Sequence, residues 1–242
     1  MTAVPEPAST VAPERSGLAD YAEETIGFGA TEFRTARDLL LCPRTVLDAY
    51  LAYGPTGGRR YARPFGFYVA LCGILMFYMF LLGGMKGMIE QQPAETLNGW
   101  IARSGKSREG FIGDADGWMS LVAVPILSLF YAAAAAPLIK WWSRLDWRRS
   151  IRATFALMCA WTVPIVPLGP LPMIKGFEII GNLAMWGALI VAFLRMGRGL
   201  WWQSWAGGIG KSLLLAGAML LGAFVGMIPV FNIGLLGALL GR

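Results

Sequence analysis

Long apolar runs alternate with short charged stretches along this chain, and the alternation predicts five helices that cross a membrane. The runs cover about 65–84, 118–139, 153–170, 177–194 and 212–241. Each reaches the scale of ~20 residues needed to cross ~30 Å of hydrocarbon, the third and fourth near its lower limit. None has an acidic or basic side chain in its middle. The last run is too long for one upright helix, since ~30 residues at ~1.5 Å each extend ~45 Å. Pro229 removes a helical hydrogen bond and Asn232 follows three residues later. The pattern therefore predicts a span over 212–230, a break, and a short apolar C-terminal helix, with a single tilted helix as the alternative.

Ahead of the first run the pattern is amphipathic. Thr31 reads as an N-cap, followed by Phe33, Ala36, Leu39 and Leu40 at helical spacing. Pro43 interrupts this pattern. A second piece, 44–53, places Val46, Leu47, Tyr50 and Leu51 opposite Arg44 and Asp48. Both pieces are too short and too charged to span. They suit the cytosolic membrane surface or a seat on the bundle, and the two are compatible. Residues 1–19, rich in Pro, Ala, Ser and Glu, read as a disordered tail without the apolar core of a signal peptide. The expected organisation is thus a tail (1–19), an amphipathic helical segment (20–63) and an all-α five-span bundle (64–242) with a large external loop at about 85–117.

Charge gives the bundle a direction. Of the 21 Lys and Arg residues, 15 precede span one or lie between spans two and three or four and five. The loop at 85–117 carries four basic residues against five acidic ones. The positive-inside rule then places the N-terminus in the cytosol and the C-terminus outside. Trp141, Trp142, Trp147, Trp201, Trp202 and Trp205 fall in the two cytosolic inter-span loops, Trp100 and Trp118 on the outer side, as expected of belt residues at headgroup level.

Composition narrows the chemistry. The 242 residues are 56% hydrophobic and 15% charged, with mean hydropathy +0.53. Soluble domains carry roughly 25% charge. The chain has no histidine, which removes the commonest general base, the commonest zinc ligand and the Ser-His and Cys-His dyads. Three cysteines (Cys42, Cys72, Cys159) cannot form a four-thiolate metal site, and none is expected outside, where a disulfide would form. No G-x-S-x-G, H-E-x-x-H or paired intramembrane carboxylates appear. The expectation is a non-enzymatic protein with no cofactor, no metal and no catalytic residue. The balance of +6 marks membrane orientation rather than nucleic-acid binding.

The densest candidate is KWWSRLDWRRSIR (140–152). Its Arg144, Arg148, Arg149 and Arg152, interleaved with Trp141, Trp142 and Trp147, suit an anionic inner leaflet at roughly 1 kcal/mol per basic residue. Arg148 and Arg149 are the candidate phosphate clamp, and topology with anchoring is the plainer reading. Arg59 and Arg60 follow Gly57 and Gly58 in a turn that lacks the strand and Lys-Ser/Thr of a P-loop; they join the candidate contacts for lipid or partner. GGIGKS (207–212) is too short for the same motif. Gly222, Gly226, Gly237 and Gly241 form two GxxxG pairs, suited to helix packing within the chain or to a homo-oligomer or partner membrane protein. Lys175 and Glu178 have the spacing of an i,i+3 pair. Asn182 and the prolines at 164–172 mark a polar, broken region that a transporter would use.

Within the stretch 33–68, LLxxP at 39–43 and GRRYxxPFxF at 58–67 resemble the motifs of an uncharacterised bacterial membrane-protein family. Its members have a cytosolic helix with an LLxxP motif, then a G-[KR]-R-Y-x-x-P-F-x-[FY] entry to the first span. The matching residues are Leu39, Leu40, Pro43, Gly58, Arg59, Arg60, Tyr61, Pro64, Phe65 and Phe67. Many members carry a cysteine-rich zinc ribbon, which this sequence lacks. The plan over 35–230 is also similar to Yip-type five-span proteins. The preferred reading is a non-enzymatic bacterial inner-membrane scaffold of the Yip-like type, whose amphipathic segment (31–53) and basic loops engage lipid or a partner protein. The small-GTPase partners of eukaryotic Yip proteins do not carry over. A small-molecule or lipid transporter or channel is the alternative.

Overall fold

The computed structural model describes residues 29–82, 84–173 and 176–241. The expected tail at 1–19 and the pairing of Lys175 with Glu178 lie outside the described residues. Among those described, the chain forms nine α-helices: α1 (Ala30–Leu41), α2 (Pro43–Tyr53), α3 (Pro64–Leu82), α4 (Lys86–Glu90), α5 (Ala94–Ser104), α6 (Arg108–Ser143), α7 (Trp147–Leu168), α8 (Glu178–Gly197) and α9 (Trp205–Leu240). Five of them, α3, α6, α7, α8 and α9, are long and apolar enough to cross a membrane.

Local chemistry sets where these helices begin. The side chains of Ser107, Asp146 and Ser204 accept from the N–H groups of Gly110, Arg149 and Gly207, capping α6, α7 and α9. The first helix is capped two residues before the expected Thr31: Gly29 is its N-cap, and the Glu32 carboxylate accepts the Gly29 N–H at 2.9 Å. Thr31 is inside the helix, where its carbonyl accepts the Thr35 hydroxyl at 2.7 Å.

The centre of the bundle is α7. Its apolar stretch is 61% buried, against 17–28% for the other four, and it packs on α1, α2, α3, α6 and α8. Beside it, α6 and α9 form the most extensive helix pair and run antiparallel. Gly222 and Gly226 meet Phe130, Gly234 meets Met119, and Gly237 meets Trp118. At 36 residues each, they reach about 54 Å, well beyond the hydrocarbon core.

Three expectations change here. The last run does not break: α9 continues through Pro229 to Leu240 and starts at Trp205. Neighbouring helices let a membrane helix tolerate an interior proline, and here Gly226, Val230, Gly234 and Ala238 are buried along α9, with Gly226 and Gly234 against α6. The expected loop at 85–117 contains α4, α5 and the first turns of α6. They close a second apolar core around Ile89, Leu97, Phe111, Ala115 and Met119, packed against Val230 and Ala238. Finally, α7 runs through Pro164 and Pro167 and ends at Leu168.

Candidate functional site

The end of the bundle that carries α1 and α2, called the basic end below, is held by a buried polar network. The chain enters α3 through Tyr61 and Ala62, both buried beside α1 and α2. The Ala62 N–H donates to Thr35 Oγ1 at 2.9 Å, and the Tyr50 hydroxyl donates to the Ala62 carbonyl at 2.6 Å. The Tyr61 hydroxyl donates to Asp38 Oδ2 at 3.2 Å, while Arg37 Nε and Nη2 donate to Oδ1 at 3.0 and 2.8 Å. Burial acts to raise the pKa of Asp38, but the hydrogen bonds from Arg37 and Tyr61 and the charges of Arg37 and Arg60 hold it below the usual carboxylate value. Burial and the neighbouring Asp38 push the Tyr61 phenol up, and burial does the same at Tyr50. The Gly-Gly-Arg-Arg turn is fixed by positive φ at Gly57, Gly58 and Arg59 (53°, 71° and 66°), with the Tyr61 ring against Gly57. Glycine tolerates that backbone at no steric cost.

Two arginines latch the amphipathic pair to α8. Pro43 has no N–H, and the turn at Cys42 leaves the last carbonyls of α1 without helical donors. Arg195, in the last turn of α8, donates to the Leu40 and Leu41 carbonyls at 2.5 Å each. In return Arg44, in the first turn of α2, donates to the Met196 and Arg198 carbonyls at 3.0 and 2.8 Å. Its Nε pairs with Asp48 at 2.9 Å. The amphipathic segment is therefore seated on the bundle, with Val46, Leu47 and Tyr50 inside, while Phe33, Leu41 and Tyr53 stay exposed.

The residues singled out in the sequence divide into two groups. Arg59, Arg60, Arg144 and Arg148 are exposed, as are Trp141 and Trp147. Arg149 is also exposed but lies 3.5 Å from Asp146, whose pKa is lowered chiefly by the Arg149 backbone N–H. Arg152 turns inward, donating to the Tyr50 carbonyl at 2.8 Å; it joins α7 to α2 and is not offered to lipid. Trp142 is half-buried edge-on to Phe193 at 5.6 Å. Trp201 and Trp202 are core rather than belt residues, 1% and 2% exposed. The α8–α9 turn folds back so that Trp201 stacks on Phe193 at 5.1 Å and Trp202 packs on Gly208. Lys211 closes this corner, donating to the Trp201 carbonyl at 2.7 Å and lying 5.6 Å from the Trp142 ring centre.

Of the four candidate packing glycines, Gly222, Gly226 and Gly237 abut α6 of the same chain. Gly241 is past the helix end, its N–H bonded to the Gly237 carbonyl, and meets no neighbouring helix.

Within the bundle, α3, α6, α7 and α8 surround a cavity of about 250 Å³. Tyr68, Tyr78, Ser128, Tyr131, Thr162 and Asn182 bring polar groups to a wall otherwise made of Leu75, Met79, Trp161, Met185 and other apolar residues. The Tyr68 hydroxyl donates to Ser128 Oγ at 2.8 Å, with Cys72 Sγ 3.5 Å from the same oxygen. Asn182 and Pro172, which the sequence marked as part of a broken polar region, line this cavity together with Gly169. Tyr68, Ser128 and Tyr131 carry no such signal in the sequence; hydroxyls isolated in apolar runs are common, and only the packing brings them together. Arg44 and Arg195 were legible as topological charge alone, because nothing in the sequence couples positions 151 residues apart. Among the described residues no group of His, Cys, Asp or Glu has the arrangement of a metal site. No family model, curated protein or solved structure matches the chain.

Proposed function

We propose that this integral membrane protein is a non-catalytic scaffold of a bacterial inner membrane, on a Yip-like five-span plan, that engages anionic lipid through its basic end. That end lies in the cytosol and the C-terminus outside. The observation that carries the reading is the gathering of exposed Arg59, Arg60, Arg144 and Arg148 with exposed Trp141 and Trp147 at one end of the bundle. Basic side chains near an anionic leaflet contribute about 1 kcal/mol each, and exposed indoles favour the headgroup level.

The test is lipid retention. Protein extracted from vesicles of mixed phosphatidylcholine and phosphatidylglycerol should carry phosphatidylglycerol in excess over the bulk. Reversing Arg148 and Arg149 to Glu should reduce that excess severalfold, and an unchanged excess overturns the reading. Orientation is tested at Cys42, which is exposed at the basic end while Cys72 and Cys159 are buried. An impermeant maleimide should label intact cells only after permeabilisation.

The cavity between α3, α6, α7 and α8 favours a second reading, in which a small amphiphile is held or passed within the membrane. Reconstituted protein that moves no ion, lipid or amphiphile across a vesicle wall would leave the scaffold reading alone.

A further inference from the structure

We infer that the seam between α1, α7 and α8 is a binding site for one anionic phospholipid, with its phosphate at Arg195 and Arg198 and one acyl chain between α7 and α8. The inference rests on the lipid-engaging reading above but assigns the contact to residues outside the Trp-Arg loop that the sequence favoured.

Two recesses carry it. One, of about 310 Å³, lies at the basic end and is lined by Arg44, Arg195, Arg198, Trp202 and Trp205 among others. The other, of about 220 Å³, lies against α7 and α8, where Ala160, Pro164, Ala184, Ala188 and Val191 form its apolar part. Pro43 and Arg195 line both, so the two recesses meet where the arginine latch is.

The upper recess is cationic. Asp48 balances Arg44, but Arg195 spends its donors on neutral carbonyls and keeps its charge uncompensated. Arg198 is exposed, and its guanidinium makes no hydrogen bond or ion pair among the described residues. Trp202 belongs to the same wall, and its buried indole N–H meets no acceptor among the described residues. Trp205, 61% exposed, stands beside them as an indole does at headgroup level.

The lower recess has the dimensions of a chain. From Arg195 to Ala184 is eleven residues, about 16 Å along α8, and half of a ~30 Å hydrocarbon core is ~15 Å. A volume of about 220 Å³ spread over that length makes a narrow apolar groove, suited to a single extended chain and far too narrow for a helix ~10 Å across. The occupant therefore joins an anionic group to a long apolar chain within a single leaflet, as an anionic phospholipid does.

The test counts lipids retained by the full chain on native mass spectrometry, after extraction from vesicles of phosphatidylcholine and phosphatidylglycerol. Wild type should keep one phosphatidylglycerol through collisional activation that strips the rest. R198E should lower its retention about tenfold, the loss expected when ~1.4 kcal/mol is removed, and R198K should restore most of it. A188L, which fills the lower recess without touching a charge, should lower retention severalfold. Excess inorganic phosphate should displace nothing, since it cannot occupy the apolar half. R198E leaves the backbone pairing of Arg198 with Trp202 available, so a folded variant is expected.

Retention that is anionic-selective but insensitive to both R198E and A188L overturns this site while the general lipid reading stands. Displacement by inorganic phosphate overturns the acyl-chain half and with it the proposal. Equal retention of phosphatidylcholine, or no retained lipid, overturns both readings.

Discussion

The two ends of the bundle meet the same requirement, satisfying the free carbonyls at a helix C-terminus, in different ways. At the basic end Arg195 and Arg44 cross-link α1, α2 and α8 reciprocally, over a core that contains Tyr50, Tyr61, Trp201 and the hub helix α7. At the opposite end Lys106 donates to the Ala238 carbonyl of α9 at 2.8 Å and pairs with Asp114 at 2.6 Å. There the core is small and is built by α4, α5 and the overhangs of α6 and α9. A cross-link between several elements over a large core resists loss of any one contact. A single lysine over a small core stabilises one helix end. The end with the exposed arginines is thus the more heavily cross-linked of the two, as the proposed headgroup contact requires.

The largest expected effect tests how much the buried indoles contribute. Trp201→Ala should cost about 3–5 kcal/mol, as for other buried Trp truncations, whereas exposed Trp141→Ala should stay within about 0.5 kcal/mol. Equilibrium unfolding in mixed micelles with increasing sodium dodecyl sulfate checks both, and equal costs would return Trp201 to the belt. Next, Gly226→Leu should cost about 1–3 kcal/mol, because a side chain there meets Phe130 and Leu127 at 3.0–3.1 Å. The same unfolding assay reads it, and a neutral result would mean that α6 and α9 can separate freely.

The latches themselves come third. Arg195→Ala should cost about 1.5 kcal/mol or more, since charged hydrogen bonds to two carbonyls are lost, and should speed hydrogen exchange in α1 and α2. Lys106→Ala should cost about 0.3–1 kcal/mol and loosen only the end of α9. If the lysine proves the costlier, the contrast between the ends is reversed.

The smallest effect concerns acid. The folded pKa of Asp38 lies below its ordinary value of about 3.9. Its contribution to stability is therefore complete above that value and is lost as pH falls through the lower folded pKa. Asp38→Asn should flatten the acid arm of the midpoint-against-pH curve below about pH 4 and leave its slope near neutrality unchanged. An acid arm identical to wild type would show that Asp38 is not held in its charged form.

How much was legible in the sequence follows from the range of the forces involved. Hydrophobic runs are local, so the five membrane-length helices and the amphipathic pair split at Pro43 could be read from spacing alone. Helix ends were less legible. Thr31 gave way to Gly29 because Glu32 supplies the cap, and the break at Pro229 did not occur because Gly226, Val230, Gly234 and Ala238 are buried along α9. The candidate contacts were half legible. A loop dense in Arg and Trp marks an interface, but it does not say that Arg152 bonds to Tyr50 or that Trp201 lies under α8.

By itself the sequence determined that this chain is a multi-pass helical membrane protein, because transfer of backbone and side chains into hydrocarbon depends on composition over about 20 residues. Only the tertiary structure decided that α7 is the hub, that Arg44 donates to the carbonyls ending α8 while Arg195 donates to those ending α1, and that a cationic recess continues into an apolar one. Those features depend on contacts between positions up to 155 apart in the chain, and no local pattern encodes which distant helix end will need a donor.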